Sequence, residues 1–119
     1  MEMIWEKARE VGRLVAQSDE YKAFKRANTQ MADDRDLVTR LNRLNELQVS
    51  FQRSVEGGSE PPLEEQEEFE RLATEVQGST VYQGYASAQA NFDRLMMRIQ
   101  EEIAKGVEAG EQSRIILPS

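Results

Sequence analysis

Cysteine and histidine are both missing from this sequence of 119 residues. Without cysteine the chain supplies no disulfide, no thiolate nucleophile, no cysteine-type zinc site and no iron–sulfur ligand. Without histidine it lacks the commonest general base and the commonest transition-metal ligand. Proline is scarce, at three residues, and aromatics are 7% of the chain, so the core they can build is modest. No apolar run approaches the ~20 residues of a membrane span. The first fifteen residues carry Glu2, Glu6, Lys7, Arg9, Glu10 and Arg13, which leaves no apolar stretch for a signal peptide. The expectation is a cytoplasmic protein with no membrane insertion.

What is present is charge. Charged residues are 31% of the chain and hydrophobic ones 39%, a balance that suits long amphipathic helices with wide solvated faces. A core this thin is often completed by a second subunit. The net charge of −7 works against direct nucleic-acid binding. The charge is uneven. Residues 1–55 hold ten Lys/Arg against nine Asp/Glu, and residues 56–119 hold five against thirteen. The acidic half suits a basic partner surface, or simply solubility.

Periodicity and punctuation predict five helices. The first runs from Glu2 to about Ala16, with Ile4, Ala8, Val11 and Val15 in one stripe and Trp5 and Leu14 beside it. Gly12 inside it costs about 1 kcal/mol relative to Ala. Ser18 reads as the cap of a second helix reaching about Ala32, with Tyr21, Phe24, Ala27 or Asn28, and Met31 inward. Asp34 caps a third, from about Arg35 to Val55. Its stripe of Leu37, Leu41, Leu44, Leu47, Phe51 and Val55 is close to a heptad pattern.

Gly57-Gly58-Ser59-Glu60-Pro61-Pro62 is the clearest break, with Pro62 suited to the first position of the next helix. The fourth helix spans about Leu63 to Gln77, with Leu63, Phe69, Leu72, Ala73 and Val76 inward. Thr80 with Gln83 fits a capping box for the fifth, about Val81 to Val107. Its stripe is Val81, Tyr85, Ala88, Phe92, Leu95, Ile99 and Ile103, widened by Met96, and Gly84 with Ala88 forms a small-residue notch. The predicted fold is all-α, in one domain over residues 1–109, with a flexible tail over 110–119 where Ile115, Ile116 and Leu117 offer a docking segment. The two long helices are expected to form an antiparallel hairpin or open bundle completed by oligomerisation.

The polar constellations are weak as sites. The glutamates at 64, 65, 67, 68 and 70 lack the histidines of a di-metal bundle and the Asp/Asn-glycine spacing of a calcium loop, so they read as a solvated face. No cofactor or metal set stands out. Lys22, Lys25, Arg26, Arg40 and Arg43 could bind phosphate groups but are interspersed with acids.

Four segments in order carry a family resemblance. They are Ser18–Ala27 (SDEYKAFKRA), the run Leu44-Asn45-Glu46-Leu47-Gln48 with Phe51-Gln52, the glycine break into glutamate-rich Pro61–Glu70, and Ala88-Gln89-Ala90-Asn91-Phe92. Together they resemble the YlbF/YmcA family of small helical bacterial proteins, more its YheA-type branch than YlbF itself. The resemblance covers about residues 2–107. It implies an all-helical protein forming dimers or larger assemblies. It further implies a role alongside YlbF and YmcA, which associate with YaaT, promote competence, sporulation and biofilm formation, and influence messenger RNA processing by ribonuclease Y. It supplies no catalytic residues. Cysteine-held iron–sulfur clusters linked to that complex have no counterpart in a chain without cysteine.

The reading is a non-enzymatic regulatory or scaffolding protein acting through helix association. It is expected to be a homo-oligomer, dimer or higher, with scope for a hetero-complex with related helical proteins or an RNA-processing machinery. The candidate core or oligomer seam is Leu41, Leu44, Leu47, Phe51, Phe92, Leu95, Met96 and Ile99. The alternatives are an RNA-associated adaptor using the basic N-terminal half, and a small helical enzyme.

Overall fold

The computed structural model describes residues 1–116, and the side chains of residues 1–112. Five helices follow in order: α1 (Glu2–Ala16), α2 (Asp19–Asp33), α3 (Arg35–Glu56), α4 (Leu63–Gln77) and α5 (Thr80–Ile116). No strand occurs among the described residues, so the chain is all-α, as predicted.

Three boundaries are built as the sequence predicts. Ser18 Oγ accepts from the Tyr21 N–H at 3.1 Å. Asp34 Oδ1 accepts from the Leu37 N–H at 3.1 Å. Each satisfies one of the N–H groups that a helix start leaves without a partner. Gly58 has φ +77°, a conformation glycine adopts at no steric cost. Its N–H donates to Val55 O at 3.0 Å, and the Ser59 N–H donates to Ser54 O at 2.8 Å. This Schellman closure ends α3 and frees the chain to turn.

Three other boundaries differ. Pro62 is the N-cap of α4 and not its first helical residue. Ser79, not Thr80, caps α5: its hydroxyl accepts from the Tyr82 N–H at 3.2 Å. Gln83 turns its amide to the Gln77 carbonyl at 2.8 Å. Finally, α5 continues past Val107 to Ile116. Gly106 and Gly110 each cost about 1 kcal/mol against Ala, too little to stop a helix whose neighbours there are Ala, Lys, Glu and Gln. The side chains of Ile115 and Ile116 and the whole of Leu117 lie outside the described residues.

The largest difference is in helix pairing. The long helices α3 and α5 are not each other's partners; α5 packs chiefly on α2, and α3 chiefly on α4. Both pairs are antiparallel, since partner numbers fall on one helix as they rise on the other. Tyr21 and Phe24 of α2 meet Phe92 and Tyr85 of α5, and Arg40, Arg43 and Ser50 of α3 meet Glu75, Glu68 and Glu65 of α4. The physical reason is complementarity. Aromatic rings on α2 find aromatic rings on α5, and arginines on α3 find carboxylates on α4. The short break between α3 and α4 favours neighbours in space. The predicted long-helix hairpin is thereby replaced by two shorter antiparallel pairs.

Candidate functional site

The best-covered part of the molecule lies around α3 and α4. Leu37 and Leu47 of α3 are 1% exposed, and Leu72 and Val76 of α4 and Ala88 of α5 complete the buried set. Phe51 leans on Phe69 with ring centroids 5.5 Å apart. The same two helices are joined by a polar clasp. Arg43 Nη2 and Nε donate to the two carboxylate oxygens of Glu68 at 2.8 and 2.9 Å, and Nη1 donates to Glu46 at 3.2 Å. Arg40 Nε donates to Glu75 at 3.0 Å.

The hydrogen bonds from Arg43 hold the Glu68 carboxyl below the usual glutamate range, and those to Glu68 and Glu46 hold the guanidinium above its own. Glu102 is also lowered, mainly by the charge of Lys105, and next by its hydrogen bond. Both partners of each pair are partly exposed, so these contacts add little stability; the Arg43–Glu68 pair, which joins α3 to α4, helps fix the register of those two helices.

The glutamate run is therefore split by the helical period. Glu65 and Glu68 face α3, where Ser50 Oγ donates to Glu65 at 3.1 Å. Glu64, Glu67 and Glu70 face water. No group of three or more acidic side chains is gathered as a metal would need among the described residues. The inter-helix arginine–glutamate pairs escaped the sequence reading. The signal that could have found them was two arginines on α3 facing glutamates across a six-residue break.

The second covered region is aromatic. Phe24 and Phe92 stack with centroids 5.3 Å apart and planes within 5°, and Tyr21 and Tyr85 close in on them at 5.8 and 5.7 Å. Such pairs add about 0.5–1.5 kcal/mol to the burial of the rings.

The eight candidate seam residues divide between these two regions. On α3, Leu47 is buried, and Leu41, Leu44 and Phe51 are half-buried. On α5, Phe92, Leu95 and Ile99 are half-buried and Met96 is exposed. Leu95 lines an open groove with Ala23, Asn91, Arg94 and Arg98. The structure does not gather the eight into one surface.

The uncovered apolar residues lie elsewhere. On α1, Met3, Ile4, Trp5, Val11 and Leu14 are exposed, Leu14 to 67%. On the outer part of α5, Ile103 is 59% exposed and Val107 65%. Met3, Ile4, Lys7, Ala8 and Val11 form one wall of an open apolar groove of about 440 Å³, with Ile103 on the other. The small-residue notch is only half used: Ala88 is buried, while a Cβ on Gly84 would meet nothing within 4 Å. Leu63, expected inward, is exposed at the start of α4.

A third surface is cationic. Lys22, Lys25 and Arg26 of α2 line an open groove with Thr29 and Gln30. Arg40 and Arg43 do not join it, being committed to α4 carboxylates. No described helix is long and apolar enough to cross a membrane.

Residues 4–108 match the family described as "Control of competence regulator ComK, YlbF/YmcA". A UPF0342 protein of Limosilactobacillus reuteri (strain DSM 20016) is 22% identical over 105 residues, covering 88% of this chain and 85% of the relative. A UPF0342 protein of Leuconostoc mesenteroides is 20% identical over 104 residues, 87% of this chain and 89% of the relative. No solved structure matches the chain.

Proposed function

The chain belongs to the YlbF/YmcA family, a family described by control of a competence regulator, and from that premise we propose a cytoplasmic, non-enzymatic regulator that works by covering its exposed helix faces with other protein. The processes are those of its better-known relatives: competence, sporulation, biofilm formation and messenger RNA processing by ribonuclease Y. The order of its segments favours the YheA-type branch. One observation carries the reading: apolar side chains that a closed domain would bury stand in water along α1 and the outer part of α5. A surface of that kind marks an interaction site.

Deletion of the gene in its native host tests the process. Transformation frequency should fall and transcript ends dependent on ribonuclease Y should shift. If both are unchanged, the regulatory reading is wrong.

A second reading has its own observation. Lys22, Lys25 and Arg26 share one open groove and make no ion pair among the described residues. That surface supports an RNA-associated adaptor. It requires a mobility shift with RNA that weakens as salt rises. Absence of a shift at low salt removes it.

A further inference from the structure

We propose that the groove beside the α3–α4 turn takes an arginine side chain from an extended basic segment of a partner protein. The site lies on other helices than the apolar faces of α1 and α5, and it does not depend on what covers those faces.

The groove is built from two kinds of side chain. Phe51 of α3, Phe69 of α4 and Pro61 of the turn supply its apolar part, and Glu60, Gln66 and Glu70 its polar part. The three apolar members are half-buried, so the fold holds them in place while they still meet the groove. Phe51 and Phe69 lean on each other with centroids 5.5 Å apart. The Gln66 amide donates to the Pro61 carbonyl at 2.8 Å and ties the turn to α4. The open volume is about 490 Å³, within the ~300–1,000 Å³ of ligand pockets.

That combination selects a particular cation. An aromatic ring attracts a positive charge placed over its face, and a carboxylate beside the ring accepts hydrogen bonds from the same charge. Arginine meets both demands, because its guanidinium stacks on rings and presents a planar fork to a carboxylate. The chain already makes the second contact internally, from Arg43 to Glu68. Glu60 and Glu70 are open to another, since neither makes an ion pair among the described residues.

Charge decides the kind of partner. Residues 54–70 carry seven glutamates and no lysine or arginine. The nearest bases along the chain, Arg53 and Arg71, line no part of the groove. A second copy of the chain brings the same net charge of −7 and is opposed, whereas a basic segment is drawn in. Shape decides the rest. A partner helix needs an apolar stripe several turns long to lie on, and this groove offers three apolar residues. One side chain of an extended segment fits what is there.

Fluorescence anisotropy of the full chain with a labelled peptide, Gly-Ser-Arg-Gly-Ser-Arg-Gly, tests the proposal at low salt. Binding should saturate, weaken as salt rises, and shift the ring proton resonances of Phe51 and Phe69. Glu60→Gln with Glu70→Gln should weaken it about tenfold. Glu64→Gln with Glu67→Gln removes the same charge from the outer face of α4 and should weaken it less than about twofold. Phe69→Leu keeps every charge and should weaken binding about two- to fivefold. If that variant loses helical circular dichroism, the ring resonances of the unaltered chain decide the point. The same peptide with lysine for arginine should bind more weakly. No saturable binding of the arginine peptide, ring resonances that stay unmoved, equal losses from the two glutamate pairs, or equal affinity for the lysine peptide overturns the proposal. Ring resonances that move when the peptide-free chain is diluted would put a second copy in the groove and overturn it as well. N-acetylarginine amide binding as tightly as the peptide would make the ligand a small guanidinium compound, which overturns the assignment to a partner protein.

Discussion

Leu47 and Ile103 occupy equivalent places in their helices, each on an apolar stripe of a long amphipathic segment, yet one is 1% exposed and the other 59%. The α3–α4 pair covers its stripe because a short turn returns a second helix over it. Arginines at 40 and 43 then find carboxylates at 75 and 68. The outer part of α5 outruns α2, which has 15 residues against the 37 of α5. Among the described residues, α1 approaches it only as the far wall of an open groove. The difference teaches that an apolar stripe marks a demand for a neighbour, and that chain length decides whether the molecule meets the demand itself.

The contrast is broken most severely at Leu47. Leu47→Ala should cost about 3 kcal/mol by urea unfolding, through lost transfer energy and a cavity. A loss well under 1 kcal/mol would mean that α3 is no better covered than α5. Phe92→Ala should cost about 2 kcal/mol, because it removes the stack with Phe24 and the contact with Tyr21. Asp34→Ala should cost about 1 kcal/mol through the loss of the α3 cap.

Val107→Ser sharpens the contrast from the other side. In the single chain its effect should stay within about 0.5 kcal/mol, since the side chain is already in water.

The smallest effect belongs to the polar clasp. Glu68 titrates lower folded than unfolded. Its contribution is therefore complete above the ordinary glutamate range and lost as pH falls through the lowered value. Glu68→Gln should lower neutral-pH stability by a small amount and remove an acid-side loss of the same size. An identical acid profile in the variant would show that the clasp is not the source.

Much of the helix inventory was legible from local chemistry. Ser18, Asp34 and the Gly57–Gly58 break act through groups within four residues of themselves, so a reading along the chain finds them. The stripes were legible as well, since the 3.6-residue period is a local property. The partners were not. Leu63 belongs to the α4 stripe by spacing yet stands exposed in the first turn of that helix. Glu65 and Glu68 look like their neighbours in the run and differ only in facing Ser50 and Arg43.

The sequence by itself determined that this protein is helical, where its main breaks fall, and that thiol and imidazole chemistry are closed to it, because those follow from residue type and short spacing. Only the tertiary structure decided that α5 lies on α2 and α3 on α4, and hence which stripes were left in water. That choice depends on matching side chains far apart in the chain, where the fit of rings to rings and arginines to carboxylates outweighs helix length.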